Sequence, residues 1–151
     1  MKKIILFISA IFFAISLPGQ TKTFRGAWFD IKYPSAFKVN PSLKSATNTN
    51  GYESVFFISP DRLVEFYVFS PQWRGEATDI ELKQSEKITG DKTETEGNTS
   101  IRWWTIAAKN GSYTRSYQEK TDNISNTNWI IGIKYKKQYL AFKSSLVQYA
   151  D

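Results

Sequence analysis

The chain of 151 residues contains no cysteine and no histidine. Without cysteine it has no disulfide bond and no lipid-modified cysteine, so it is not a lipoprotein and its fold must depend on a hydrophobic core. Without histidine it lacks the catalytic pairs and metal sites that use imidazole. It also lacks the Gly-rich phosphate-binding motifs GxGxxG and GxxxxGK[ST]. We therefore predict a protein that is not an enzyme and that holds no cofactor and no metal.

A basic and then apolar segment begins the chain. Lys2 and Lys3 precede an apolar run over residues 4–17, which is shorter than the roughly 20 residues that cross a membrane. This pattern predicts a signal peptide over residues 1–19 and a single mature domain over residues 20–151. An uncleaved anchor and a buried core helix are the alternatives for this run.

The predicted cleavage site lies near Gly19–Gln20, where Pro18 interrupts the apolar run, and Ala14 and Ser16 are alternative positions. Cleavage removes two of the 20 basic residues, which leaves 18 against 14 acidic residues and a net charge of +4. The protein is predicted to be periplasmic or secreted. Since its basic residues are also dispersed, nucleic acid is not a predicted partner. No stable membrane span is predicted once the signal is removed.

Most of the mature chain alternates apolar and polar residues with period 2, which is typical of half-buried strands. In "RLVEFYVFS" both alternating faces carry large apolar groups, which predicts a central strand that is covered on both sides. Gly132 is a candidate bulge in the last strand. The predicted strands are residues 24–34, 36–39, 52–59, 62–70, 85–95, 99–109, 112–120 and 127–135.

The dipeptide Asn110-Gly111 is the strongest hairpin signal, because both residues tolerate the positive φ of a type I′ turn. A two-residue loop there pairs Lys109 with Ser112. The same register sets Trp104 opposite Tyr117, Arg102 opposite Glu119, and Trp103 opposite Gln118. A register wrong by one residue would change these pairs.

Because neighbouring side chains of a strand point to opposite faces, Trp103 and Trp104 cannot share one core. We expect Trp104 on the more buried face, near a C-terminal helix, and Trp103 on the opposite face. Trp103 is then either covered by loop 40–50 or loop 71–84, or it is a platform for a ligand. The candidate ligand or partner surface consists of Trp103, Trp73 and Trp28.

The C-terminal segment changes its period. Tyr139, Phe142, Leu146 and Tyr149 follow spacings of three, four and three, which is typical of an amphipathic helix. This helix would pack its apolar face on the sheet. The fold class predicted from the residues is therefore α+β, with a mainly antiparallel meander packed by a C-terminal helix.

Two stretches, "FDIKYPSAFKV" and "FISPDRLVEFYVFSP", resemble the opening of the PsbP/Mog1-like superfamily. The resemblance covers about residues 24–149 and implies an α-β-α sandwich around an antiparallel sheet. The better-known members of that superfamily are accessory or binding proteins, namely a photosystem assembly subunit and a small-GTPase regulator. The resemblance implies no enzyme and transfers no functional residue, and export argues against both of those partners.

Three functional hypotheses follow, in order of preference. The first is an exported non-enzymatic accessory domain that binds an unknown protein partner in the cell envelope. The second is a small-ligand or carbohydrate-binding module that uses exposed tryptophans. The third is a carboxylate-based hydrolase that uses two of the acidic residues between Asp79 and Glu96.

Overall fold

The computed structural model describes residues 19–125, 127–135 and 145–148, and these residues form strands and no helix. Within them, no helix is long and apolar enough to cross a bilayer. The predicted signal peptide lies almost entirely outside the described residues. The ten strands are β1 (Thr21–Arg25), β2 (Phe29–Pro34), β3 (Lys38–Pro41), β4 (Ser54–Ile58), β5 (Val64–Phe69), β6 (Glu86–Glu96), β7 (Thr99–Ala108), β8 (Thr114–Asp122), β9 (Thr127–Tyr135) and β10 (Ser145–Gln148).

The strands form two antiparallel sheets of unequal size. The large sheet has seven strands in the order β3-β4-β5-β9-β8-β7-β6, and the small sheet has three in the order β1-β2-β10. Phe29 and Ile31 of β2 share a buried cluster with alternate residues of β4 and β5, including Phe57 and Phe66. The small sheet therefore packs on one side of the large sheet, over its β3–β5 end.

Different parts of the chain pack on the two faces of the large sheet. We call the face that carries Phe57 and Phe66 the sandwich face, because the small sheet covers part of it. The opposite face, which we call the loop face, carries Tyr67, Tyr117 and Ile106. Segment 71–85, which connects β5 to β6, crosses this face and adds Ile80 to its core.

The predicted C-terminal helix is wrong where the structure describes it. Residues 145–148 form β10, which pairs antiparallel with β2 and sets Leu146 opposite Ile31. The rest of the predicted helix, at 136–144 and 149–151, lies outside the described residues. The spacing of four apolar residues carries no information about β2. The edge of β2 that β1 leaves open pairs with this segment, and this pairing gives a strand where the local pattern predicts a helix. The described fold is all-β, so the α+β class and the α-β-α sandwich are both corrected.

Several strand predictions are confirmed. β9 has the predicted bounds, and β5 lies inside the large sheet with Phe66–Phe69 buried on both faces. The predicted first strand is wrong as one element, because it divides into β1 and β2 around a tight turn in which the Gly26 N–H bonds the Phe29 carbonyl at 2.7 Å. That turn cannot be read from the alternation of apolar residues alone.

The register of the β7–β8 hairpin is confirmed, with Trp104 opposite Tyr117 and Trp103 opposite Gln118. The turn type is wrong, because Gly111 has φ +73° while Asn110 is not in the positive-φ region. The Gly111 N–H bonds the Ala108 carbonyl at 2.9 Å, and the glycine after this turn provides the left-handed residue. A longer loop thus preserves the same pairing.

Gly132 is not at a bulge. It pairs with Tyr67 on one side and Tyr117 on the other without any shift of register, whereas the irregularity of the sheet lies between Ile88 and Gly90 in β6. Because Gly132 has no side chain, the Tyr67 and Tyr117 rings meet across β9 with centroids 6.3 Å apart in an edge-to-face arrangement.

A substitution at Gly51 tests how closely the loop before β4 packs on the β1–β2 turn. A Cβ at Gly51 would lie 2.6 Å from the Ala27 Cα, whereas one at Gly75 would meet nothing closer than 3.8 Å. We expect Gly51→Ala to lower the free energy of unfolding by about 2–3 kcal/mol, because the clash is with backbone. Gly75→Ala should stay within about 0.5 kcal/mol of the parent. Urea denaturation measures both, and equal effects would contradict the close approach.

Candidate functional site

The three tryptophans predicted as a surface do not lie together. Trp28 is only 3% exposed, so it offers no surface for stacking, and this part of the prediction is corrected. Trp73 is 37% exposed in segment 71–85, beside Gly75, whose carbonyl accepts a hydrogen bond from Asn128 on the loop face. Trp103 is half-buried on the sandwich face. Trp73 and Trp103 therefore lie on opposite sides of the large sheet.

Trp104 is part of the loop-face core, as its strand parity predicts. Its ring lies 4.9 Å from the Tyr117 ring, centroid to centroid, and packs against the cluster that includes Ile106. The cover over this face is segment 71–85 with Ile80 and Ala77, rather than a helix. This segment is one of the two loops expected over Trp103, but it lies on the other side of the sheet.

Trp103 is at the centre of a part of the sandwich face that we call the open face. It consists of the sandwich-face side chains in residues 92–94 of β6, 101–105 of β7 and 116–120 of β8, together with Trp129 at the start of β9, beyond the strands whose residues pack on the small sheet. All its members are half-buried or exposed. The members of the open face are Lys92, Glu94, Ile101, Trp103, Thr105, Ser116, Gln118, Lys120 and Trp129.

The open face combines aromatic, polar and charged groups. The Lys92 Nζ lies 5.9 Å from the centroid of the Trp103 ring and also pairs with the Glu94 carboxylate. The hydroxyls of Thr105 and Ser116 are 3.3 Å apart. Near the end of the β6–β7 hairpin, the surface forms an open concavity of about 630 Å³ that Glu94, Ile101 and Lys120 help to line. The arrangement can stack on a flat group and hydrogen bond to its edge.

Sequence reasoning missed most of the open face. Trp129 is not part of the predicted surface, although strand pairing places it opposite Lys120 on the same face as Trp103. The signal that could have found it was the predicted last strand: extending the hairpin register from β8 to β9 pairs these residues. Ile101 and Lys92 could be found by the same count of residues along β7 and β6.

A second concave region lies on the loop face, and we call it the loop-face groove. Its volume is about 630 Å³, and its lining includes Phe56, Tyr117 and the carboxylates of Glu65, Asp79 and Glu86. The hydrolase hypothesis requires carboxylates that are free to react in a cleft. The hydrogen bonds and ion pairs of these carboxylates therefore decide how much support the hypothesis has.

Asp79 fastens segment 71–85 to the sheet. Its carboxylate accepts hydrogen bonds from Ser42 Oγ at 2.6 Å, from Ser54 Oγ at 2.5 Å and from Tyr67 Oη at 3.3 Å. Burial, and then the Asp79 charge, raise the pKa of Tyr67 far above its usual value, so this phenol remains a donor. Both oxygens of Asp79 are thus engaged by side chains of the fold.

Glu86 and Arg115 form a buried ion pair at 2.6 Å, with side chains 1% and 8% exposed. Glu86 also accepts hydrogen bonds from Tyr113 Oη at 2.6 Å and from the Lys83 N–H at 3.0 Å. Arg115 donates further bonds to the Glu81 carbonyl at 2.8 Å and to Tyr117 Oη at 2.9 Å. Burial by itself would raise the pKa of Glu86, but these hydrogen bonds and the guanidinium charge lower it from 4.5 to about 2.

A carboxyl group with this pKa is a poor general acid near neutral pH, because it is almost never protonated there. Asp79 and Glu86 are both bonded to the fold, so a reaction in the groove would have to use the more accessible Glu65 or Glu81. The described residues bring no three acidic side chains together as metal ligands. The groove is better explained as the seam where segment 71–85 is attached to the sheet.

The ion pair predicts a specific dependence of stability on pH. Because the pKa of Glu86 is lower in the folded state, its stabilisation is complete above pH 4.5 and is lost as the pH falls toward 2. We expect Glu86→Gln to lower the free energy of unfolding at pH 6 by about 3–5 kcal/mol, since Arg115 is left buried without a counter-charge. Between pH 6 and pH 3 the variant should lose about 2 kcal/mol less than the parent.

Glu81→Gln is the matched control, because the Glu81 side chain is exposed and only its carbonyl bonds Arg115. It should keep both the stability and the pH dependence of the parent, within about 0.5 kcal/mol. Denaturant titrations at the two pH values measure all three proteins. The same pH dependence in the parent and in Glu86→Gln would contradict the lowered pKa.

The resemblance to the PsbP/Mog1-like superfamily stays a prediction, although the α-β-α sandwich that it implies is not what the described residues form. No protein-family model and no curated protein sequence matches the chain.

Proposed function

We propose that the protein is an exported, non-enzymatic binding domain whose partner protein docks on the open face. The observation that carries this proposal is the position of Trp103. It lies half-buried in the middle of a sheet surface, and the residues that pack on the small sheet come from β4 and β5, at the other end. A large aromatic group in such a place is typical of an interface centre.

The surroundings of Trp103 support a protein partner. Ile101 and Trp129 add apolar area, while Gln118, Lys120 and Lys92 provide hydrogen-bond donors around it. An apolar centre with a polar rim is the usual composition of an interface between proteins. Because paired strands hold the backbone of these residues, a partner would bind a surface whose backbone is already arranged.

A carbohydrate or small ligand is the second candidate, and a specific observation favours it. Trp103 and Trp129 lie on one face, two strands apart, with the amide of Gln118 and the ammonium of Lys120 between them. Flat aromatic groups with polar neighbours can stack on sugar rings and bind their hydroxyls. The hydrolase hypothesis has less support, because Asp79 and Glu86 are engaged in the fold.

Trp103→Ala tests the proposal against Trp73→Ala, which removes an exposed tryptophan on the other side of the sheet. Immobilised parent protein should retain a reproducible protein from the envelope fraction of its own cells. Once that protein is purified, Trp103→Ala should weaken its binding about thirtyfold, since central aromatic residues contribute about 2 kcal/mol or more. Trp73→Ala should leave the affinity within about twofold.

The same two variants distinguish the ligand hypothesis from the protein-partner hypothesis. Purified oligosaccharides and lipids are titrated against tryptophan fluorescence, with calorimetry as a second readout. A saturable response that Trp103→Ala removes and Trp73→Ala keeps would replace the protein partner by that ligand. Equal binding of parent and Trp103→Ala to every partner found would contradict the open face as the site.

A further inference from the structure

We propose that two copies of the protein pair through β6, edge to edge and antiparallel, with Thr93 on the two-fold axis. The pairing would extend the seven-stranded sheet across the axis. The pairing uses the backbone edge of β6, although Lys92 and Glu94, whose charges help to set its register, also belong to the open face.

β6 is the longest of the described strands and lies at the end of the large sheet. It has 11 residues, nearly all exposed, whereas β3 at the other edge has four and includes Pro41. In the small sheet, the edge strands β1 and β10 have five and four residues. No strand of the described residues pairs with the outer edge of β6, and a long edge of this kind is a ready template for another strand.

The ladder shows which backbone groups of β6 are available. The Ala108 N–H bonds the Tyr113 carbonyl at 3.1 Å, so Ala108 directs its backbone groups toward β8. By alternation, Trp103 directs its groups toward β6, and its partner Lys92 directs its own toward β7. The next residues along, Asp91, Thr93 and Thr95, therefore direct both N–H and C=O away from the sheet.

These three residues set the register of a symmetric pair. With Thr93 opposite its own copy, Asp91 faces Thr95 of the second copy and Thr95 faces its Asp91. All three pairs have outward backbone groups on both sides, which gives about six hydrogen bonds across the axis. This ladder cannot form in a register that sets a residue with outward backbone groups opposite one whose backbone groups point into its own sheet.

The charges of β6 select the same register. Centred on Thr93, Lys92 lies opposite Glu94 of the second copy, and the symmetry repeats this pair. Moving the centre by one residue would set Lys92 against Lys92 or Glu94 against Glu94, which is unfavourable. Asp91 adds no repulsion, because Arg102 of its own chain binds it with two bonds of 2.7 and 2.8 Å. The interface is isologous, as a closed two-fold dimer requires.

The bulge between Ile88 and Gly90 limits the pairing to residues 90–96. The charges on β6 disfavour pairing with an unrelated strand, but they are complementary to the charges on β6 of a second copy. A second copy of the chain is therefore the occupant that fits it best.

Charge reversal tests the register. Sedimentation equilibrium of the purified protein should show a monomer–dimer equilibrium, which K92E and E94K should each weaken about tenfold or more by creating two like-charged pairs. The double variant K92E/E94K should restore the parent dissociation constant. A parent protein that stays monomeric at millimolar concentration would overturn the proposal, and so would single variants that dimerise like the parent.

A cysteine gives a second readout, because the chain has none of its own. Thr93→Cys should form a disulfide-linked dimer on mild oxidation, since the two copies would lie about 5.5 Å apart at Cα. Thr95→Cys is the control, because the same residue type on the same strand would lie opposite Asp91 instead. Equal cross-linking of both variants would overturn the register. Loss of partner binding in Trp103→Ala with the dimer intact, or the reverse, would separate this inference from the proposed function.

Discussion

The loop face of the large sheet depends on one buried ion pair. Arg115 of β8 and Glu86 at the start of β6 are almost completely buried, and each also bonds the backbone of segment 71–85. An irregular segment that crosses a hydrophobic surface must find partners for its peptide groups, which a helix would satisfy internally. Asn128 does the same for the Gly75 carbonyl, and the Asp79 side chain fastens the segment to Ser54 of the sheet. With these polar anchors, the tyrosines and Ile106 are covered without any helix.

The sandwich face is governed by a mismatch of size. Three strands cannot cover seven, and β2 packs its Phe29 and Ile31 on β4 and β5. Where no described residue of the small sheet covers the strands, their composition changes from Val55, Phe57 and Phe66 to hydroxyl, amide and lysine groups around Trp103. The candidate binding surface is therefore what remains of a sheet that is wider than its cover.

Local patterns along the chain predict much of this fold. Alternation identifies most strands, and one dipeptide fixes the pairing of Trp104 with Tyr117, because each later pair in a hairpin follows from the first. The patterns fail where distant residues decide. Leu146 belongs to a strand because the edge of β2 is unpaired, and Trp28 is buried by a turn that its own alternation does not reveal. Whether Trp103 is covered depends on the width of the small sheet, and no residue near it carries that information.

The pairing of β10 with β2 sets an order of events in folding. Leu146 lies opposite Ile31, about 115 positions away in the chain, whereas every neighbour pair from β6 to β9 joins consecutive strands. The meander can assemble from local contacts, but the small sheet cannot be completed until the last part of the chain has been synthesised. With the export that we propose, this order would keep the sandwich incomplete while the chain crosses the membrane.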